Sequence, residues 1–312
     1  MRFISALTAV IVLIGFSHCG YAEEKELQGT LTLSGAWAIY PTAVAWAEAF
    51  QKAHPRVKVD VSAGGAGKGA ADAIAGLVDI GMVSREPDPT EIKKSVTAVY
   101  VLHDAVFPVV NDKNPALADM LKKGLNKAAW VGMYITGAAV NWNDVVDSAC
   151  DKSIHVYTRS DSCGAAAAWA AYMGKKQEDL KGVGVYGDPG LLETARRDPV
   201  GIGYTNFSYV FTREGTVVAG ARIVPIDANE NGIADPDEIY VSRSEAIRAI
   251  EAGKYPVTRR NYFFIRKDKP NTLAKEFIKF ALSEEGVKVV NDVGTSLPPT
   301  EKDRREVLKG LE

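Results

Sequence analysis

Residues 154–176, IHVYTRSDSCGAAAAWAAYMGKK, place charged and thiol side chains where an apolar alternating run gives way to an alanine-rich helix. Arg159 and Asp161 end the run, and Cys163 and Gly164 open the helix. The N-terminus of a helix carries unpaired N–H groups and partial positive charge, so it suits an anion. A guanidinium held beside it, as an aspartate can hold it, makes a better anion clamp. The stretch therefore predicts an anion-binding turn.

Two other stretches have the same design of a strand end, a glycine-bearing turn and a helix start. They are SGAWAIYP at residues 34–41 and SAGGAGKGAAD at residues 62–72. Glycine lets the backbone approach a ligand closely. Lys68, Arg85 and Arg159 lie at or beside strand ends. Together the three turns and three cations predict one site for an oxyanion.

The elements that must position these turns alternate along the chain. Residues 29–34 and 57–61 have strand patterns, and the segment between them has apolar residues at helical spacing. This βαβαβ rhythm predicts a parallel sheet with helices on both faces. The pattern restarts after residue 111 and ends in an amphipathic helix over 272–294. The sequence thus predicts an α/β protein of two lobes.

The motifs SGAWAIYP, GGAGKG, VDIGMVSRE, VNWNDV, RSDSCGA and GIGYTNFSYV occur in this order. In order and spacing the chain resembles the periplasmic phosphate-binding proteins of ABC importers over nearly all of its mature length. The resemblance implies a two-lobed periplasmic binding protein fold, with a mixed sheet flanked by helices in each lobe and a ligand cleft between them. It assigns residues 26–107 and 258–312 to lobe 1 and residues 108–257 to lobe 2.

The resemblance also implies which residues surround the ligand. In that family, hydroxyl side chains on the three turns donate to the oxyanion, but here Ile39, Ala66, Cys163 and Ala165 stand at those positions. Arg85 stands where some members have aspartate and others arginine. The residues expected to bind the ligand are Ala38, Ile39, Tyr40, Gly67, Lys68, Arg85, Arg159, Asp161, Cys163, Gly164 and Ala165.

The function implied by the resemblance is solute binding without catalysis. A monomer would capture a small oxyanion, phosphate first, and deliver it to an ABC permease in the inner membrane. The loss of hydroxyl donors leaves an alternative open, because each lost hydrogen bond to a charged group is worth about 1.5–3 kcal/mol. In the alternative, the same fold binds arsenate, another oxyanion or an organic anion and acts as a sensor or adaptor for a signalling partner.

Cys163 allows several interpretations. Its place at a helix N-terminus near Arg159 predicts a lowered thiol pKa. A thiol enzyme would then use Cys163 as nucleophile, with Asp161, His103 or His155 in support. A thiophilic oxyanion as ligand and a simple packing role are the other interpretations.

A disulfide between Cys150 and Cys163 would suit an oxidising compartment. However, a strand over residues 154–159 would span roughly 20 Å at about 3.3 Å per residue. Bridged cysteines need Cα atoms within about 7 Å of each other. The sequence therefore predicts no bridge.

The segment DANENGIADPDE, residues 227–238, fits the calcium-loop pattern D-x-[DN]-x-[DN]-G-x₅-E. Oxygen ligands at this spacing wrap around one Ca²⁺ ion, and Gly232 permits the sharp turn. The alternative is an acidic hairpin loop that turns at Asn231-Gly232 without a metal. The predicted structural calcium ligands are Asp227, Asn229, Asn231, Ile233, Asp235 and Glu238.

Residues 1–22 have the basic start, short apolar run and small-x-small cleavage site of a secretory signal peptide, cleaved after Ala22. Lipoprotein cleavage at Cys19 is the alternative. The net charge is −2. Removing the signal peptide takes away one basic residue, Arg2, and no acidic one, which leaves 36 basic and 39 acidic residues and a charge of −3. This balance gives no support for nucleic-acid or anionic-membrane binding, and the sequence predicts a periplasmic protein.

Overall fold

The computed structural model describes residues 26–94, 96–269 and 271–311, and the predicted signal peptide lies outside them. The strands of this part are Gly29–Gly35 (β1), Val57–Ala63 (β2), Ile80–Val83 (β3), Val96–Asn111 (β4), His155–Arg159 (β5), Val183–Val185 (β6), Gly201–Asn206 (β7), Ala221–Ile223 (β8) and Thr258–Arg266 (β9). Its α-helices are Tyr40–Ala53 (α1), Ala66–Ala75 (α2), Pro89–Ile92 (α3), Leu117–Lys123 (α4), Lys127–Val131 (α5), Gly164–Tyr172 (α6), Gly187–Arg197 (α7), Phe207–Val210 (α8), Arg243–Glu251 (α9), Thr272–Leu282 (α10), Glu284–Val293 (α11) and Glu301–Lys309 (α12). Shorter helical turns are Gly132–Thr136, Trp142–Asp144 and Gln177–Asp179. No helix in this part is long and apolar enough to cross a membrane.

The strands form a mixed sheet in the order β2-β1-β3-β9-β4-β7-β5-β6, with β8 beside β4. β1 pairs in parallel with β2 and β3, and β5 pairs in parallel with β6 and β7. The long strands β9 and β4 are antiparallel to their neighbours and join the two parallel groups. The α/β class is confirmed. The βαβ rhythm alone predicted a parallel sheet, because it did not show that β9 returns between β3 and β4.

The apolar core consists of two clusters of buried side chains. One contains core residues from Leu31 to Leu102 and from Tyr262 to Leu311, and the other contains residues from Ala105 to Val257 together with Leu297. We call the parts of the chain around them the first and second lobe. The predicted lobe boundaries at 107/108 and 257/258 stay predictions. One cluster gives way to the other between Leu102 and Ala105 and between Val257 and Tyr262.

Helix α1 follows the spacing seen in the sequence. Ala43, Trp46 and Phe50 are buried on its inner face, and the Trp46 indole donates to the carbonyl of Gly286 at 2.9 Å. Pro41 lies in the first turn, where its missing N–H costs no helical hydrogen bond. The helix therefore packs on the C-terminal part of the chain and carries the first turn of the predicted site at its N-terminus.

The segment predicted as one helix over 272–294 is two helices, α10 and α11. The prediction was wrong at Ser283, whose backbone is extended with φ −73° and ψ 170°. The Ser283 hydroxyl accepts a hydrogen bond from the N–H of Gly286 at 3.2 Å and so caps the second helix. Apolar periodicity continues through this break and therefore conceals it.

Candidate functional site

The first and second turns lie against each other at the end of β1. The N–H groups of Gly64 and Gly65 donate to the carbonyl of Gly35 at 2.8 and 2.9 Å. Gly35 has φ +133°, and a Cβ there would lie 2.3 Å from the carbonyl oxygen of Met82. Only glycine fits such a close approach in this backbone conformation. The glycines of the first two turns therefore allow the segments that precede α1 and α2 to lie in contact.

The third turn, from the second lobe, meets the second turn directly. The N–H of Gly67 donates to the carbonyl of Ser162 at 3.1 Å. A Cβ on Gly65 would lie 2.7 Å from that oxygen, and one on Gly164 would lie 1.8 Å from the carbonyl oxygen of Ser84. The glycines therefore bring the N-termini of α1, α2 and α6 to one place between the lobes. The first turn of each helix leaves N–H groups without intrahelical acceptors, which gives this place partial positive charge.

Arg159 is held by two carboxylates. Its Nε and Nη2 donate to Oδ1 and Oδ2 of Asp161 at 2.8 and 2.6 Å, and Nη1 donates to Oδ2 of Asp188 at 2.5 Å. The guanidinium side chain is fully buried. Burial alone would lower the pKa of Arg159, but Asp188 and Asp161 raise it above the ordinary value. The pair with Asp161 that the sequence suggested is confirmed, whereas Asp188 was missed.

Asp188 links this pair to strands β7, β9 and β4, and we call the part of these strands around Asp104, Asn206 and Arg259 the floor of the site. Its Oδ1 accepts a hydrogen bond from the N–H of Asn206 at 3.3 Å, and Asn206 Oδ1 accepts one from Arg259. Arg259 also donates through Nη2 to Oδ2 of Asp104 at 2.7 Å. Burial raises the pKa of both carboxyl groups, Asp104 and Asp188, although the arginines oppose this shift. A continuous polar chain therefore runs from the third turn to β7, β9 and β4.

The other two predicted cations also have carboxylate partners. Lys68 pairs with Asp72 one helical turn later, and Asp72 also accepts a hydrogen bond from the Ser34 hydroxyl at 2.6 Å. Arg85 makes two hydrogen bonds to Glu91, at 2.9 and 2.6 Å. Burial opposes ionisation of Glu91, but Arg85 holds its pKa below the usual value. A neighbouring carboxylate therefore neutralises each of these cations, and neither pair was among the sequence predictions.

Cys163 begins α6 and is 5% exposed. Its Sγ accepts a hydrogen bond from the N–H of Ala166 at 3.4 Å, so the thiol takes the capping position that a hydroxyl usually fills. Burial raises the pKa of the Cys163 thiol to about 12, although Arg159 opposes the shift. The predicted lowering of this pKa was wrong, because loss of water outweighs the nearby positive charge. Cys150 and Cys163 are both free thiols.

The features required of a thiol enzyme do not assemble around Cys163. His155 Nδ1 lies 2.6 Å from Oδ2 of Asp198, which also accepts a hydrogen bond from Tyr157. Burial lowers the pKa of His103, which lies on β4 and whose backbone pairs with Leu297. A protonated, buried thiol is a poor nucleophile. Cys163 is therefore best described as a packed helix cap.

The first turn carries a tryptophan that reaches the second lobe. Ala38 and Ile39 are fully buried, and Tyr40 contacts Trp37 edge to face with ring centroids 6.3 Å apart. The carbonyl of Trp37 accepts a hydrogen bond from the Tyr209 hydroxyl at 3.0 Å. The Trp37 ring also meets Tyr186 edge to face at 6.0 Å. Side chains therefore join the lobes beside the three turns.

The loop over 227–238 turns its oxygen atoms inward. Both Asp227 oxygens accept backbone hydrogen bonds, from Asn231 at 3.0 Å and from Gly232 at 2.9 Å. Glu238 accepts from the N–H groups of Ala228 and Asp235 at 2.8 and 3.2 Å. Asp227 is 2% exposed and Glu238 9% exposed. Among the described residues no group of three or more His, Cys, Asp and Glu side chains is placed to hold a metal, and calcium binding by this loop stays a prediction.

Known proteins are similar to this chain over most of its length. A family model described as a PBP superfamily domain matches residues 21–285. The phosphate-binding protein PstS of Bacillus subtilis (strain 168) is 27% identical over 278 residues, which cover 87% of this chain and 81% of that protein. The phosphate-binding protein PstS of Staphylococcus haemolyticus (strain JCSC1435) is 24% identical over 295 residues, covering 92% and 86%.

Solved structures of similar proteins confirm the fold. A phosphate ABC transporter substrate-binding protein from Clostridium perfringens, with bound phosphate, has a TM-score of 0.71 and 24% identity and covers 87% of this chain and 100% of that one. An ABC-type phosphate transport receptor from Vibrio cholerae has a TM-score of 0.65 and 20% identity, with the same coverage. At these identities the likeness supports the two-lobed α/β fold that the sequence predicted.

Proposed function

The chain belongs to the PBP superfamily, and we propose on this basis that it captures phosphate between its lobes and delivers it to an ABC permease. The observation that carries the proposal is the convergence of three helix N-termini between the lobes, since helix N-termini bind oxyanions. Relatives named phosphate-binding proteins match this chain over more than four fifths of their own length. This agreement in length supports carrying their whole function to this chain.

The proposal includes a location and a mode of action. The mature protein would start after Ala22, work as a monomer in the periplasm and bind its ligand without converting it. Its lobes would separate to admit phosphate and close on it, because turns from both lobes meet at the proposed site. The partner would be a permease in the inner membrane.

A calorimetric and thermal-shift panel on the mature protein tests the ligand. The panel contains phosphate, arsenate, sulfate, molybdate, phosphite and organic anions such as acetyl phosphate. We expect saturable phosphate binding, together with a melting temperature that rises with phosphate concentration by mass action. If phosphate at millimolar concentration gives neither heat nor a shift while another anion gives both, phosphate is not the ligand and the sensor alternative gains support.

We also propose that the loop over 227–238 holds a structural Ca²⁺ ion. Support comes from its match to the calcium-loop pattern and from the burial of Asp227 and Glu238, for which the described residues provide no Lys or Arg ion-pair partner. A divalent cation would neutralise their charge with oxygen ligands, which Ca²⁺ prefers. The ion would fix the loop and would not act as a sensor, because no long helix directly flanks the loop in the described part of the chain.

Calcium titration with matched variants tests this second proposal. Adding Ca²⁺ to chelator-treated protein should raise the melting temperature of the wild type, and Glu238→Gln should abolish the rise. Asp237→Asn is the control, since Asp237 pairs with Lys254 and occupies a position of the loop that supplies no ligand. An equal response of both variants, or no response of the wild type, would rule out the calcium site.

A further inference from the structure

Two polar side chains at the floor of the site are buried without protein partners for most of their polar atoms. Arg259 is 7% exposed, and its Nε and Nη1 have no hydrogen-bond acceptor among the described residues. Asn261 is fully buried, and neither its Nδ2 nor its Oδ1 has a partner there. Oδ1 of the neighbouring Asp104 is in the same condition. Buried polar groups are nearly always paired, so unpaired ones need an explanation.

These side chains lie on β9, which pairs with the end of β3 and with β4. On β9, Arg259 is opposite Asp104, and Asn261 precedes Tyr262, which is opposite Val83 at the end of β3. Residues two apart on a strand share a face, so Arg259 and Asn261 point to the same side of the sheet. The next residue of that β3 end, Ser84, is the one against which Gly164 packs. Asn261 therefore lies beside the strand end against which the third turn packs.

Arg259 also differs from Arg159 in how much of its donor capacity is used. The guanidinium group has five N–H donors. In Arg159 all three nitrogens donate to carboxylates. In Arg259 only Nη2 donates, to Asp104 and Asn206, which leaves three N–H groups buried and unused. A buried donor without an acceptor lowers the stability of the fold, and an oxyanion is the acceptor best suited to pair with these N–H groups.

We propose that Arg259 and Asn261 contact the captured oxyanion and replace donors that the three turns lack. The inference rests on the proposed function and assigns its ligand contacts to the floor strand β9. The family resemblance implies that hydroxyls are lost at Ile39, Ala66, Cys163 and Ala165. Arg259 and Asn261 bring unpaired polar atoms to β9 beside the end of β3, and the amide of Asn261 can both donate and accept.

Asn261→Leu is the most direct test, read by phosphate calorimetry and by the melting temperature of the ligand-free protein. If Asn261 contacts the ligand, the Kd rises about tenfold or more, since two hydrogen bonds to a charged group are lost. Because unpaired amide atoms are removed, the ligand-free protein should melt at the same or a higher temperature. A raised Kd without a lowered melting temperature separates ligand contact from a structural role.

Thr205→Val is the matched control. The Thr205 hydroxyl is also buried and unpartnered, but it lies on β7 opposite Phe107, on the other face from Asn206. Its replacement should leave the Kd within about twofold of the wild type. Equal changes in Asn261→Leu and Thr205→Val would overturn the inference, because both would then reflect general disturbance of the sheet.

Arg259 is tested by Arg259→Lys, which keeps the charge beside Asp104 but loses the fork of N–H donors. We expect the Kd to rise at least about tenfold while circular dichroism shows a folded protein. If wild-type protein binds phosphate and Asn261→Leu and Arg259→Lys bind it equally well, the inference fails and the proposed function stands. If the wild type binds no anion of the panel, both fail.

Discussion

Arg159 donates to Asp188 across 2.5 Å, although Asp161 already holds the other side of the same guanidinium. One buried cation thus faces two carboxylates at the place where an anion is expected. The triad of Arg159, Asp161 and Asp188 carries a net charge of −1 when both acids are ionised. Attraction of an anionic ligand must therefore come from the helix N-termini and from the unpaired donors of Arg259 and Asn261. The negative charge of Asp188 opposes this attraction.

The first prediction follows from this charge balance. Asp188→Asn removes one negative charge, and its single amide oxygen can replace only one of the two carboxylate oxygens that now accept from Arg159 and from the N–H of Asn206. A unit charge about 4–8 Å from an anion at an effective dielectric of about 20 is worth about 2–4 kcal/mol, so the phosphate Kd should fall at least about tenfold. Isothermal titration calorimetry measures it. Asp198→Asn is the control, because that carboxylate binds His155 and Tyr157 instead. An unchanged Kd in Asp188→Asn would contradict the prediction.

A second prediction concerns Lys68 and Arg85. Because Lys68 is paired with Asp72 and Arg85 with Glu91, neutralising both members of either pair, which leaves the net charge unchanged, should change the phosphate Kd by less than about threefold. Lys68→Gln combined with Asp72→Asn, and Arg85→Gln combined with Glu91→Gln, are compared with the wild type by calorimetry at low ionic strength, where charge effects are largest. A loss of binding in either variant would show that the ion pair opens to receive the ligand.

The third prediction is the pH dependence of thiol reactivity. Since burial raises the Cys163 pKa to about 12, the thiol stays protonated through pH 10, and its alkylation should remain slow until the pH nears 12. Cys150 is only partly buried and serves as the internal reference. Mass spectrometry after iodoacetamide treatment at pH 7 to 10 should find label on Cys150 and little on Cys163. Rapid labelling of Cys163 at pH 8 in folded protein would mean that its pKa is lowered and would contradict the prediction. Labelling of both cysteines in denaturant is the control that the reagent is active.

The overall class of the fold was readable from the sequence because it depends on local periodicity. Helix α1 and the glycine-bearing turns were identified in place, since spacing and glycine act within a few residues. The interruption at Ser283 was not identified, because one capping serine does not disturb the apolar pattern. The antiparallel return of β9 depends on pairing across the whole chain, which periodicity does not encode.

The residues that surround the site were predicted unevenly for the same reason. Arg159 and Asp161 are two positions apart and were paired correctly from the sequence. Asp188 lies 29 positions from Arg159, and Arg259 lies 155 positions from its partner, so the sequence holds no local sign of either pair. The Lys68–Asp72 pair could have been found from its i, i+4 spacing alone. The loss of hydroxyls at the turns stays a prediction, and nothing local in the sequence pointed to the buried, unpaired polar side chains of β9.

The last prediction uses Gly187, which lies where Trp37 enters the second lobe. Gly187 has φ +72°, and a Cβ there would lie 3.3 Å from two ring atoms of Trp37. Gly187→Ala should therefore strain the backbone and also force Trp37 to shift by a few tenths of an ångström, which loosens its packing on the second lobe. Gly174→Ala is the matched control, because Gly174 has φ +74° with nothing within 4 Å of a Cβ.

Both variants should lose about 1–2 kcal/mol of unfolding free energy, since a residue with a Cβ is disfavoured in the left-handed region. Only Gly187→Ala should also disturb contact between the lobes. In solution X-ray scattering its radius of gyration should increase, and its phosphate Kd should rise, while Gly174→Ala should match the wild type in both. Identical scattering and identical Kd for the two variants would show that Trp37 packing does not contribute to closure. An effect confined to Gly187→Ala would mean that the contact of Trp37 with Gly187 helps to hold the lobes together around the ligand.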